Sequence, residues 1–159
     1  METRSIVDAL AESPVTRDMG RAERRRLAAL AAITNAATGD VLLREGTETS
    51  HLGIVLSGRV ALRLNVLGRG PITILTVEPG DLFGWSAVVP PYRSTSTAVA
   101  IVPTEAITFE AGPLREALAA DDDLAAALNP RLMQALARRL SATRDQLLDL
   151  FGRAEGQAW

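Results

Sequence analysis

Between Asn35 and Glu110 the chain runs in short apolar stretches cut by Gly, Pro, Asn or Asp. The cuts recur about every 8 to 12 residues, a rhythm that fits an antiparallel barrel or sandwich and little else. Within it, Val60, Leu62 and Leu64 alternate with Ala61, Arg63 and Asn65, so the first set is expected to point inward and the second to meet solvent. The same period returns in Ile72-Thr73-Ile74-Leu75-Thr76. Gly58 and the run Leu67-Gly68-Arg69-Gly70-Pro71 supply the reversals between strands.

Helical segments bracket this β region. From Arg21 to Ala32, Leu27, Leu30 and Ala31 recur at helical spacing, with Arg24, Arg25 and Arg26 towards the other side as a solvated face. No aromatic residue interleaves with that triplet, which argues against a nucleic-acid surface. After Gly112-Pro113 the spacing predicts a helix over Leu114 to Ala120, a short piece opened by Asp121-Asp122-Asp123, and a long helix from Asn129. Asn129 reads as its N-cap, Pro130 as its first residue and Gly152 as its stop. Along that helix Leu136, Leu140, Thr143, Leu147 and Leu150 follow a 4-3-4-3 spacing, widened by Met133 and Phe151. One part of such a stripe suits the β core and the remainder suits the same helix of a second chain, although core packing alone also explains it. Arg115, Arg138, Arg139 and Arg144 are expected on its solvent side and that of the preceding helix.

With 159 residues, 47% of them hydrophobic, the chain is long enough for one domain with a proper core. Basic and acidic side chains nearly balance, 17 against 19, so no overall field draws it to nucleic acid or anionic lipid. Cysteine is absent, which excludes disulfides, thiolate zinc sites and cysteine nucleophiles. The amino terminus shows no signal-peptide core, and no stretch approaches the roughly 18 apolar residues that span a bilayer; a cytoplasmic protein with no membrane partner is expected. Only one histidine is present, His51, beside Ser50 and Leu52. It cannot make a histidine-rich metal site alone, and no Gly-x-Ser-x-Gly elbow accompanies it, so neither metal chemistry nor hydrolysis is indicated and no enzyme is expected. Gly68-Arg69-Gly70 lacks the rest of a dinucleotide fingerprint and reads as a turn.

The candidate ligand site is the run Pro79 to Ser86 with Pro90-Pro91-Tyr92-Arg93-Ser94-Thr95-Ser96-Thr97. Glycines at 80 and 84 permit sharp turns and close backbone approach, and Ser86 and Ala87 suit the opening of a short helix with free N–H groups. Arg93, with the hydroxyls of Ser94, Thr95 and Ser96, supplies charge and donors suited to a phosphate. An ordinary surface loop has the same composition.

The order of elements, with Gly39-Asp40, Arg44-Glu45-Gly46, Leu56-Ser57-Gly58, Val77-Glu78-Pro79-Gly80, Phe83-Gly84 and Arg93 to Ala98, resembles the cyclic-nucleotide-binding domain of catabolite-activator-type regulators, nucleotide-dependent kinases and gated channels. The resemblance covers about Arg21 to Phe151. It implies a mainly β fold with flanking α, an antiparallel jelly-roll barrel with an N-terminal helix and a long C-terminal helix. On that reading residues 1–20 form an N-terminal arm and 21–151 the domain, with the barrel at about 35–110 and C-terminal helices at about 113–151; 152–159 are a tail. It also implies a phosphate-binding cassette over Phe83, Gly84, Trp85, Ser86, Ala87, Arg93, Ser94, Thr95 and Ser96.

The family's cassette carries Gly-Glu followed some ten residues later by Arg; the Glu binds the ribose 2′-hydroxyl and the Arg the phosphate. Here Trp85 stands at the Glu position, and loss of a buried hydrogen bond to a charged group costs about 1.5–3 kcal/mol, about one to two decades of affinity. The Arg admits two registers. Counting from Gly84 puts Arg93 near it, whereas matching Ser96-Thr97-Ala98 puts Ser94 there, and one residue of slip reverses the face of a strand. Trp85 itself either fills the space of an absent nucleotide or stacks on a base. The Gly-Trp-Ser form is similar to that of a divergent bacterial branch.

Two functions follow from the resemblance. One is a stand-alone sensor that binds a cyclic nucleotide such as cAMP or cGMP, or another phosphate-bearing ligand, and signals through its C-terminal helix. The other is a degenerate, ligand-free module acting in protein association. No other cofactor is implied. A homodimer through Asn129–Phe151 and a protein partner are expected, and direct DNA binding is not, because only Arg153 to Trp159 follow Gly152.

Overall fold

The computed structural model describes residues 5–156. In chain order the elements are α1 (Ile6–Glu12), α2 (Arg21–Ala28), β1 (Ala31–Ala36), β2 (Val41–Leu43), β3 (His51–Ser57), β4 (Val60–Val66), β5 (Gly70–Val77), β6 (Leu82–Phe83), a 3-10 turn (Trp85–Ala87), β7 (Thr97–Ala100), β8 (Thr104–Glu110), α3 (Ala111–Ala120) and α4 (Asp122–Gly156). The strands make two four-stranded antiparallel sheets, ordered β1-β8-β3-β6 and β2-β7-β4-β5. The arrangement is the antiparallel jelly roll expected, built as two facing sheets and not closed into a continuous barrel.

Alternation within the strands divides the core in two. Leu43, Val55, Val60, Leu62, Val77 and Phe83 are buried between the sheets. On the opposite face of β3 and β8, Leu52, Ile54, Ile107 and Phe109 pack with the helical residues Leu10, Leu27, Leu114, Leu124 and Leu128. Strands β3 and β8 are thus covered on both sides, and each fully buried leucine contributes about 1.5–3 kcal/mol. In β4, Val60 and Leu62 point inward as expected and Asn65 is exposed, but Ala61 is buried too and Leu64 only half-buried. At Gly53 a Cβ would lie 2.2 Å from the Phe83 ring, so glycine is what lets that ring cross the sheet.

The flanks differ from the sequence expectation in three places. The segment read as an N-terminal arm carries α1, whose Leu10 is fully buried, followed by buried Val15 and Met19; residues 1–4 lie outside the described residues. The second helix stops at Ala28, because Ala31 to Ala36 pair with Phe109 to Thr104 and strand pairing prevails over alanine's helix preference. The short helix expected from Asp121 and the long helix expected from Asn129 run as one, α4, starting at Asp122, with Pro130 inside it and Gly152 no stop, while α3 stays separate. Its cap is Asp121, whose carboxylate accepts the Leu124 N–H at 3.0 Å. Burial of Leu124, Leu128 and Leu132 against the sheet carries it past the proline. The last three residues of the expected tail lie outside the described residues.

Candidate functional site

The cassette begins where β6 pairs with β3. Phe83 is fully buried, edge-on to His51 with ring centroids 5.9 Å apart. The chain then turns at Gly84, whose φ of 77° is left-handed and whose Cβ, had it one, would lie 2.4 Å from the His51 carbonyl oxygen. Trp85, Ser86 and Ala87 make a single 3-10 turn, with Ser86 and Ala87 buried. Tyr92, also at positive φ, returns the chain to Arg93. One side chain of α3 braces both halves of this loop. Arg115 donates to the Ala87 carbonyl at 3.0 Å, and its guanidinium carbon lies 4.3 Å from the centre of the Tyr92 ring.

The register question is answered by the strand hydrogen bonds. Arg93 bridges antiparallel to Glu48, and the amide of Ser94 donates to the Thr47 carbonyl at 2.9 Å. That places Ser94 inward, buried, with its hydroxyl 2.7 Å from that of Thr49. Arg93 is exposed and donates to the Gly46 carbonyl at 2.6 Å. Arg93, expected as the charge of the site, therefore does not line the cavity: adjacent residues of an extended segment face opposite ways, and Ser94 is the one that lines it.

A cavity of about 20 Å³ lies behind the cassette, lined by Gly84, Trp85, Ser86, Ser94, Thr95 and Ser96, with Leu43, Leu62 and Ala98 as its floor. Phe83 and Ala87 support it from the core without lining it. Its cation is Arg139 from α4. Expected on the solvent side of the helix, Arg139 instead donates through Nη2 to the carbonyl of Leu82, and its Nη1 is buried with no hydrogen-bond partner. Burial pushes its pKa below the ordinary arginine value, against the opposing pull of Asp81; a guanidinium remains charged at neutral pH. The signal was present in the sequence: Leu136, Arg139, Leu140 and Thr143 have the i, i+3, i+4, i+7 spacing of one helix face.

That face closes a second cavity of about 360 Å³, shared with Ile74 and Leu75 of β5, and Leu62, Trp85, Thr95, Ser96 and Arg139 line both cavities. Half-buried Trp85 walls both. Among the described residues lining the two cavities none is acidic, and Arg139 is the one charged group. His51 lies off this site; burial pushes its pKa below 6.5, and its Nδ1 is 2.9 Å from the Ser50 hydroxyl.

Similarity to known proteins follows the same outline. The regulator described as the CRP-like cAMP-activated global transcriptional regulator of Mycobacterium tuberculosis is 28% identical over 112 residues, 70% of this chain and 48% of that one. The chain thus spans about half the length of the curated relatives it matches. A cyclic nucleotide-binding domain from Methylobacillus flagellatus superposes with a TM-score of 0.78 at 24% identity, covering 91% of this chain and 82% of the other. The N-terminal domain of a transcriptional regulator from Streptomyces coelicolor gives 0.66 at 27%, covering 88% and 95%. With the family model of the cyclic nucleotide-binding domain matching residues 33–121, more than half its length, the chain belongs to the cyclic nucleotide-binding domain family.

Proposed function

We propose that this chain is a regulatory sensor module that binds a small anionic ligand beside Trp85 and reports its presence through α4. The observation that carries the reading is Arg139, a cation on the helix that lines the inner cavity and whose buried Nη1 has no hydrogen-bond partner. A buried donor without a partner costs about 1–3 kcal/mol, more when charged, and an anionic oxygen would remove that cost. Ser94, Thr95 and Ser96 line the same cavity and offer hydroxyl donors. Because the receptor sits on α4 and the hydroxyls on the loop before β7, an anion between them ties helix to sheet. That tie is the signal passed to a protein partner or to a second copy of the chain.

A cyclic nucleotide such as cAMP or cGMP is the first ligand to test, since the Mycobacterium tuberculosis relative is described as cAMP-activated. Calorimetric titration of the purified protein with both nucleotides measures it. Saturable heat is expected to vanish in Arg139→Ala and to persist in Arg93→Ala; loss in the second variant and not the first would overturn the assignment. The ligand-free association module is the second reading, favoured by the 20 Å³ size of the inner cavity. Silence of the wild type with every anion, together with an intact dimer, would establish it.

A further inference from the structure

The two neighbouring cavities that share Trp85 as a wall differ in chemistry. The inner one, about 20 Å³, holds little more than a water-sized group and offers a guanidinium and hydroxyls. The outer one, about 360 Å³, has the size of a small-ligand site and chiefly apolar walls, Leu62, Ile74, Leu75, Leu136, Leu140 and indole, with Thr143 and the shared Thr95, Ser96 and Arg139 as its polar part. We propose that this pouch takes an amphipathic monoanion, a carboxylate with a medium-length alkyl or aryl body, in preference to a ribonucleotide. The proposal rests on the reading of Arg139 as the anion receptor and adds the class of ligand.

A ribose brings hydroxyls that need acceptors, and the described lining has no carboxylate to take them; Trp85 turns a ring to that place. Polar groups buried against apolar walls without partners are rejected strongly. An alkyl or aryl body gains by removing its own surface and that of Leu62, Ile74, Leu136 and Trp85 from water. Its head group meets the guanidinium of Arg139, whose Nη1 is buried without a partner, in a low-dielectric setting where that hydrogen bond is strengthened.

Trp85 reports occupancy directly once Trp159→Phe leaves it as the lone indole of the chain's two tryptophans. That protein is titrated by fluorescence with decanoate below its micelle threshold, with decanol as the uncharged counterpart, and with cAMP. Decanoate is expected to shift the emission saturably and to bind about ten- to a hundredfold tighter than decanol. Arg139→Gln is expected to reduce decanoate to the level of decanol, while Arg139→Lys retains part of the difference. Equal affinity of decanoate and decanol for the unsubstituted pouch overturns the proposal without recourse to any Arg139 variant. If cAMP binds in an Arg139-dependent way and decanoate does not, the amphipathic class falls and the anion receptor stands. If no compound perturbs Trp85, both fall.

Discussion

At His51 the physics of a single group sets a pH dependence. The imidazole is held below its ordinary pKa of 6.5 by burial against Phe83, so the folded state favours its neutral form. A group depressed in this way leaves stability untouched above 6.5, where both states are neutral. As pH falls through that value the unfolded chain takes up the proton first, and stability declines until the folded pKa is passed. Urea unfolding at pH 7.5 and pH 5.5 is expected to show this loss, and His51→Gln is expected to flatten it; an unchanged slope in the variant would assign the decline to other groups. The residues of the site divide by how far they could be read. Gly84 and Ser94 to Ser96 were legible as a turn and a hydroxyl run. Arg93 and Arg139 stand opposite to expectation, the first exposed and the second lining the cavities, because register and the facing of a helix are decided by tertiary pairing, here the bridge to Glu48 and the packing of α4 on β5.

Among elements, the strands were legible because a two-residue period survives where one face is wet, as from Ile72 to Ile74 in β5. The helix boundaries were not. Ala31 became strand by pairing with Phe109, and Pro130 stayed helical because buried Leu128 and Leu132 on either side anchor the segment. Neither influence is visible in local spacing. The loop from Trp85 to Tyr92 has its own anchor in Arg115, which touches it at Ala87 and at Tyr92. Arg115→Met keeps the length of the side chain and removes both contacts. It is expected to lower stability by about 1–2 kcal/mol and to speed amide exchange between 85 and 92. The central strands β3 and β8 are expected to keep their protection. Uniform acceleration across the chain would show that Arg115 supports the fold generally rather than the loop.

The whole molecule leaves one helix incompletely covered. Along α4, Met133, Leu140 and Leu147 are 69%, 73% and 50% exposed and seven residues apart, the repeat of a two-helix seam; the side chains of Leu150 and Phe151, expected to extend it, lie outside the described residues. Sedimentation is expected to report a dimer, and the double change Leu140→Glu with Leu147→Glu is expected to yield monomers with the thermal transition of the sheets retained. Monomeric wild type at micromolar concentration would remove the seam from the account. Helix α4 also has mechanical meaning. It is a single rod of 35 residues, and Arg139 meets the sheets near its middle. At 1.5 Å per residue, about 25 Å of it projects past that fulcrum. A tilt of about 10° there would swing the far end by roughly 4 Å, so a fraction of an ångström gained or lost at the guanidinium is multiplied along the lever into a displacement that a neighbouring surface can detect.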